Sequence, residues 1–220
     1  MNFNPIEIGY LLGTRFVPFL FAICFHEFAH GFIAKLYGDR TAERAGRLTM
    51  SPFAHGDLWG TFILPITSIL TNIPLLGWAK PVPVDSRNMR NPKNAMFWVA
   101  AAGPLSNLLL ALITAFLLQA ISIHFSDASF SNALIEIFKT FLLINLMLAI
   151  FNLIPVQPLD GGQLVERFLP YNANRWMQEN QATISIALFF IVIMGGARFL
   201  IVPVLWIAGN LLNLAAIFIH

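Results

Sequence analysis

Long apolar segments constrain this chain more than any other feature of its sequence. A helix needs about 20 apolar residues to cross the hydrocarbon core of a bilayer. Only 11% of the residues are charged, against about 25% in typical soluble domains. The sequence therefore predicts an all-α polytopic membrane protein with about five to six transmembrane segments, in a single integral-membrane domain over residues 1–220. The apolar segments are Ile8–Tyr37, Leu58–Trp78, Ala95–Ile123, Leu134–Ile154, Thr183–Gly195 and Phe199–Ile219.

The basic residues between these segments predict the topology. Lysine and arginine cluster in residues 38–57 and 79–94, whereas residues 122–133 contain neither. The positive-inside rule puts the first two loops in the cytoplasm and the third outside. A single crossing by residues 58–78 would separate the two basic loops, so the rule favours a re-entrant segment there, with a full crossing as the alternative.

Three residues of the first apolar segment, His26, Glu27 and His30, form the pattern H-E-x-x-H. Positions i and i+4 share one face of a helix, so the two imidazoles can bind one zinc ion. Glu27 lies beside the metal and can pass a proton from a bound water to a leaving amine. Ionisable side chains inside a membrane segment are costly and indicate function. The pattern favours a catalytic metal site over the alternatives of an interhelical hydrogen bond or a haem ligand.

A third metal ligand must come from elsewhere in the chain. On the predicted topology the segment Leu134–Ile154 ends on the same side as the two histidines. The sequence PVQPLDGGQ follows it, which brings Asp160 to a similar depth. The alternative for LDGG is a simple turn. The other candidates are His55, His124, Glu136, Glu166 and His220.

The chain resembles the site-2 protease family of intramembrane zinc metalloproteases (peptidase family M50). His26–His30 matches the first family motif, and Asn152–Gly161 matches the second, N-x-x-P-x-x-x-L-D-G. Ala102–Asn107 matches the element G-P-x-x-N of the intervening helix. Gly77–Val84, GWAKPVPV, is typical of the short bacterial branch that lacks a PDZ domain.

The resemblance implies a site and a ligand. His26, His30 and Asp160 would bind one Zn²⁺ per chain, with Glu27 as general base. Asn152 would lie near the site, where its amide could contact the substrate backbone or the oxyanion, or form an interhelical hydrogen bond.

Other residues of these motifs have structural interpretations. Gly103, Pro104 and Asn107 are predicted to serve helix packing. His55 either orients a ligand or the substrate, or belongs to an interfacial loop.

The resemblance also implies a substrate class and a location. The substrates would be transmembrane helices of other proteins, cleaved in the lipid bilayer of a bacterial inner membrane. The two basic loops predict that the site lies toward the cytoplasmic side. A substrate helix must unwind, and pairing with an extended or β segment of the enzyme would hold it open. Residues 47–51 and 80–84 are the predicted extended or β segments. A regulatory partner or a homo-oligomer could control access, and the net charge of +2 does not indicate a nucleic-acid partner.

Two hypotheses from other functional classes compete with the protease hypothesis. The first is a non-catalytic membrane protein that retains a structural metal site. Glu27 argues against it, because a structural site closes its fourth position and needs no base. The second is a transporter with a metal-binding helix pair, and the scarcity of further charges along the apolar segments argues against that.

Overall fold

The computed structural model describes residues 4–71, 75, 77–125, 131–196 and 198–219. Besides a short 3₁₀ helix at Ser86–Asn88, ten longer helical elements occur in this described part. In chain order they are α1 (Pro5–Leu36), α2 (Thr41–Arg44), α3 (Pro52–His55), α4 (Leu58–Thr71), α5 (Pro92–His124), α6 (Ser131–Asn152), α7 (Asp160–Glu166), α8 (Tyr171–Glu179), α9 (Gln181–Gly196) and α10 (Arg198–Ile219).

Four of these helices, α1, α5, α6 and α10, are long and apolar enough to cross a membrane. The helices α8 and α9 meet at a bend of 67° and raise the number to five if the pair forms one span. The all-α polytopic architecture predicted from hydropathy is therefore confirmed.

Residue choice at the helix ends explains where several helices begin. Asn4 precedes Pro5 and accepts the N–H of Ile6 at 3.0 Å, which caps α1. Asp57 accepts the N–H groups of Trp59 and Gly60 at the start of α4. Such side-chain acceptors satisfy donors that the first helical turn leaves unpaired.

The segment 58–78 returns to its starting point. The N–H of Trp78 donates to the carbonyl of Gly60 at 3.0 Å, and the hydroxyl of Thr61 donates to the carbonyl of Trp78 at 2.8 Å. Helix α4 has 14 residues, or about 21 Å at 1.5 Å per residue, which is shorter than a hydrocarbon core of about 30 Å. The two ends of the segment therefore lie together, as the re-entrant alternative requires.

The predicted extended or β segments near 47–51 and 80–84 do not form strands in the described part of the chain. Residues 48–50 form bends, and residues 77–85 have no regular secondary structure. Pro81 and Pro83 lack an N–H, which prevents a continuous ladder through the second segment. The N–H groups that remain bond elsewhere: that of Lys80 donates to the carbonyl of His55 at 2.9 Å, and that of Val82 to the Glu27 side chain.

The main core lies where α5, α6 and α10 cross. Small side chains at this crossing let the helix backbones approach closely. Such close packing is usual in membranes, where the hydrophobic effect does not drive helices together. Helix α5 also packs against α1 and against the short helix α7. Helix α5 therefore holds α1, with the two motif histidines, next to α7, which begins at Asp160. The buried residues of the core are Ala111, Ala115, Leu118, Leu142, Leu146, Val204, Ala208 and Ala215.

Candidate metal centre

Three side-chain atoms from two distant parts of the chain form a small triangle. His26 Nε2 and His30 Nε2 lie 3.1 Å apart. Asp160 Oδ2 lies 3.2 Å from the first and 3.4 Å from the second. Ligand atoms about 2.0–2.1 Å from a tetrahedral zinc ion are ~3.3 Å apart. The triangle therefore has the dimensions of three corners of a tetrahedral site.

The chemistry of these donors also fits a metal ion. Asp160 Oδ2 is buried and has no hydrogen-bond partner among the described residues. A buried carboxylate of this kind needs a cation or donor. Within the described ranges, this is the one group of three His, Cys, Asp or Glu side chains close enough to share a metal.

Both histidines present Nε2 to the triangle because their other nitrogen is occupied. His26 Nδ1 lies 2.6 Å from Asn107 Oδ1, and His30 Nδ1 lies 2.7 Å from the carbonyl of Val99. An oxygen of either kind accepts but cannot donate, so each Nδ1 carries the proton. Each Nε2 is therefore left with a lone pair for a metal, the usual arrangement for a ligating histidine.

Gly103 makes room for both rings. A Cβ atom at this position would lie 2.5 Å from His26 Cε1 and 2.5 Å from His30 Nε2. Asn107 follows one helical turn later on the same face of α5. The interpretation of Gly103 and Asn107 as helix-packing residues was incomplete, because both contact the histidines. The spacing of four residues between them was the available signal.

Two glycines shape the turn that delivers Asp160. Helix α6 ends at Asn152, and α7 begins at Asp160 after a short irregular segment. A Cβ on Gly161 would collide with the carbonyl of Ile154, and one on Gly162 would lie 2.6 Å from the backbone nitrogen of Gln157. The sequence LDGG therefore begins the helix α7 at Asp160 instead of forming a simple turn, and this helix start places the Asp160 carboxylate at the histidines.

Glu27 contacts the irregular segment 77–85. Its Oε2 accepts the N–H of Val82 at 2.8 Å. One helical turn later, a Cβ on Gly31 would lie 3.0 Å from Val82 Cγ1, so the segment packs closely along α1. Glu27, the residue after His26 in the chain, is therefore held by a backbone donor from a different part of the chain.

Asn152 is not brought to the triangle by a hydrogen bond. Its amide donates to the carbonyl of Leu148, one turn back in α6, at 2.9 Å. Among the described residues its amide makes no recorded hydrogen bond to His26, His30 or Asp160. Its proposed contact with a substrate stays a prediction.

His55 is buried close to the start of the segment 58–78 but is not part of the triangle. Its Nε2 lies 2.8 Å from the carbonyl of Thr49, and its carbonyl accepts the N–H of Lys80. Its Nδ1 is buried and has no partner in the described part of the chain. These contacts fit a residue that joins the loops around the re-entrant segment.

The remaining ligand candidates lie elsewhere. His124 is exposed at the end of α5, where its Nδ1 faces the carbonyl of Ala120. Glu136 accepts the hydroxyl of Tyr10, and Glu166 accepts the amide of Gln157. His220 lies outside the described residues.

The chain is similar to known proteins of one family. The family model described as peptidase family M50 matches residues 14–128 and 117–196. The Bacillus subtilis (strain 168) protein named "Putative zinc metalloprotease YwhC" is 35% identical over 198 residues, covering 88% of this chain and 85% of that protein. Rip2 of Mycobacterium tuberculosis, which has the same designation, is 30% identical over 193 residues, covering 87% and 70%. No solved structure matches the chain.

Proposed function

Because this chain belongs to peptidase family M50, we propose that it is a zinc metalloendopeptidase that hydrolyses peptide bonds within or near transmembrane segments of other membrane proteins. The observation that carries the proposal is the triangle of His26, His30 and Asp160, with sides of 3.1–3.4 Å. Two of its three corners belong to α1, one of the helices long enough to cross a membrane.

The three ligands leave one position of a tetrahedral ion open, as hydrolytic zinc sites require. Zinc bound there would supply Lewis acidity and lower the pKa of a water to about 7. Glu27 is the general base of the proposal: it takes a proton from the attacking water and delivers it to the nitrogen of the broken peptide bond. The N–H of Val82 holds Oε2 of Glu27, which leaves the other carboxylate oxygen for the proton.

The substrate enters as a transmembrane helix and is cleaved in an extended form. Peptide bonds in a helix are closed into hydrogen bonds between residues i and i−4, so the segment around the scissile bond must unwind. Residues 47–51 and 80–84 are the proposed partners for the unwound backbone. Arg47 Nη2 donates to the carbonyl of Lys80 at 2.7 Å, which makes the two segments neighbours. Asn152 would take part only after its amide leaves the carbonyl of Leu148.

The proposed location is the cytoplasmic side of a bacterial inner membrane. The argument is the basic content of residues 38–57 and 79–94, because short cytoplasmic loops are enriched in lysine and arginine. The adjacent ends of the re-entrant segment support it, since they let both basic loops face one side. Control of access by a regulatory partner or a second copy of the chain is part of the proposal.

Cleavage of reconstituted substrates tests this function. The zinc-loaded protein in liposomes is mixed with a model single-span protein, and the fragments are identified by intact mass. A matched substrate carries a glycine and a proline in the middle of its span, which weakens the helix. We expect cleavage within or next to the span and faster cleavage of the weakened helix. Cleavage confined to soluble flanking regions, at equal rates, would contradict the proposal.

A further inference from the structure

Two buried asparagines connect a ligand of the metal centre to the helix α6. Asn107 on α5 and Asn145 on α6 are both fully buried, with 0% exposure. Asn107 Nδ2 lies 2.8 Å from Asn145 Oδ1, and Asn107 Oδ1 lies 2.6 Å from His26 Nδ1. The contacts thus run through three helices, from α6 to α5 to α1.

The hydrogen bonds that link these residues can be assigned donors and acceptors in one consistent way. Asn145 Nδ2 donates to the carbonyl of Phe141 at 2.8 Å, which leaves its Oδ1 as an acceptor toward Asn107. Asn107 Nδ2 donates both to that oxygen and to the carbonyl of Ala22 at 3.2 Å. Both amide hydrogens of Asn107 are therefore used, and its Oδ1 must be the atom that faces His26. The orientation of Asn107 in turn requires the proton of His26 on Nδ1.

His30 is held differently. Its Nδ1 faces the backbone carbonyl of Val99, an acceptor that no side-chain substitution removes. His26 differs, because its Nδ1 faces the side chain of Asn107, and Asn145 sets the orientation of that side chain. The two histidines therefore form an internal comparison for any change made at the asparagines.

We propose that Asn145 is a positioning residue for the metal ligand His26 and acts through Asn107. The inference rests on the proposed function only in taking the triangle as the zinc site. Within the described part of the chain Asn145 makes no hydrogen bond to His26, His30 or Asp160, and its effect depends on the acceptor that it offers to Asn107. An unpaired amide hydrogen in an apolar interior is costly, so this acceptor stabilises one of the two orientations of the Asn107 amide.

Loss of that acceptor changes what His26 faces. Without Asn145 Oδ1, one hydrogen of Asn107 has no partner among the contacts described above. Rotation of the amide by half a turn would then present Nδ2 to His26 Nδ1, although it also gives up the contact of 3.2 Å with the carbonyl of Ala22. The imidazole would have to accept there and carry its proton on Nε2, the atom that faces Asp160 and His30. A protonated Nε2 cannot bind zinc, so the ligand would be lost from the triangle without any change to the three ligands themselves.

The first test measures zinc affinity of the full chain in detergent by competition with a chelator. The variants are Asn145→Leu, Asn145→Asp and a control, Asn210→Leu. Asn210 makes the same contact with the carbonyl four residues earlier, at 2.8 Å to Trp206, but is exposed on α10. We expect Asn145→Leu to weaken zinc binding about 10–100-fold, the usual effect of losing an outer-shell partner. Asn145→Asp keeps the acceptor oxygen, so its zinc affinity should stay within about threefold of the wild-type value. The zinc affinity of Asn210→Leu should equal that of wild type.

The second test separates positioning from a general loss of structure. Histidine labelled with ¹⁵N reports by NMR which ring nitrogen carries the proton, in metal-free protein at one fixed pH. We expect His26 to carry its proton on Nδ1 in wild type and to shift toward Nε2 in Asn145→Leu. His30 should not change, because its Val99 contact is intact. A loosened fold would instead alter both histidines.

Each outcome decides between the possibilities. Wild-type affinity and an unchanged His26 tautomer in folded Asn145→Leu would overturn the inference, as would equal weakening by Asn210→Leu. If Asn145→Leu does not fold, Asn145→Asp decides through the same tautomer measurement, and a His26 proton on Nε2 there would overturn the inference. Wild-type protein that binds no zinc would refute the proposed function instead, while the tautomer measurement would still test the link from Asn145 to His26.

Discussion

The backbone N–H of Val82 donates a hydrogen bond of 2.8 Å to Oε2 of Glu27. The two residues are 55 positions apart, and Val82 lies between two prolines that have no N–H to offer. A carboxylate that accepts a fixed donor is held in one orientation, which a general base needs if it is to meet its proton at hydrogen-bond distance.

Removal of this donor is expected to slow cleavage. Val82→Pro eliminates the N–H, and we expect kcat to fall about tenfold or more with zinc content unchanged, because general-base catalysis contributes about 100–10,000-fold. Val82→Ala is the control, since it keeps the N–H and removes only the side chain that packs beside Gly31. The measurement is cleavage rate per bound zinc. Equal rates for Val82→Pro and Val82→Ala would remove the role given to this hydrogen bond.

Gly103 should tolerate no side chain if the histidines have the geometry described above. Gly103→Ala places a methyl group 2.5 Å from His26 Cε1 and His30 Nε2, so we expect zinc affinity to fall by at least about 100-fold, near the upper end of single-contact effects. Gly209→Ala on α10 is the matched control, because nothing lies within 4 Å of its Cβ position. Alanine stabilises a helix by about 1 kcal/mol relative to glycine. The control substitution should therefore leave the fold intact and zinc binding normal. Normal zinc binding by Gly103→Ala would show that the rings lie elsewhere.

Much of this arrangement could be predicted from the sequence, for physical reasons. The long spans follow from hydropathy, and His26 and His30 follow from the helical period. The pairing of both with Asp160 follows from motif order and topology. The roles of Gly103 and Asn107 could not be obtained in this way, because a small or amide residue in an apolar helix also serves ordinary helix packing. Their contacts depend on how α5 rotates against α1, which no local pattern specifies.

The segment 77–85 shows a second limit of sequence reasoning. Residues 80–84 are predicted to be extended or β, as a partner for an unwound substrate, with the prolines allowing pairing on one edge only. The backbone donors of this segment instead reach the carbonyl of His55 and the side chain of Glu27. These partners are distant in sequence, so the pattern alone could not reveal them.

Zinc should stabilise the folded protein if the triangle is preformed. A ligand that binds only the folded state stabilises it by about 4 kcal/mol at a thousand times its Kd, so a strong chelator should lower Tm. Asp160→Ala should remove most of this chelator effect, because it eliminates one corner of the triangle. Glu179→Ala, which alters an exposed carboxylate paired with Arg175, is the control and should respond like wild type. A chelator shift that persists in Asp160→Ala would place the metal at a different site.

Asp39 is expected to make stability depend on pH at the end of α1. Burial by itself would raise the pKa of Asp39, but the N–H of Asp85, the side chains of Thr41 and Asn88 and the N–H of Thr41 together hold it below its usual 3.8. A lowered pKa means that the folded state binds fewer protons than the unfolded state. This stabilisation is present above pH 3.8 and is lost as the pH falls through the lower folded value.

The comparison of two variants measures this effect. Asp39→Asn should lower Tm at pH 7, and its difference from wild type should shrink as the pH falls from about 4 toward 2, the range below the ordinary aspartate pKa. Asp57→Asn is the control, because asparagine caps a helix about as well as aspartate. A difference between Asp39→Asn and wild type that stays constant over this range would exclude the assigned role of Asp39.

The most direct test of the central claim compares wild type with Glu27→Gln. Both proteins are purified, assayed for zinc and incubated in liposomes with the same single-span substrate. We expect one zinc per chain in both proteins and cleavage by wild type alone, because glutamine leaves the triangle intact but cannot accept the proton. Cleavage by zinc-loaded Glu27→Gln at the wild-type rate, or cleavage by wild type that persists without zinc, would contradict the central claim.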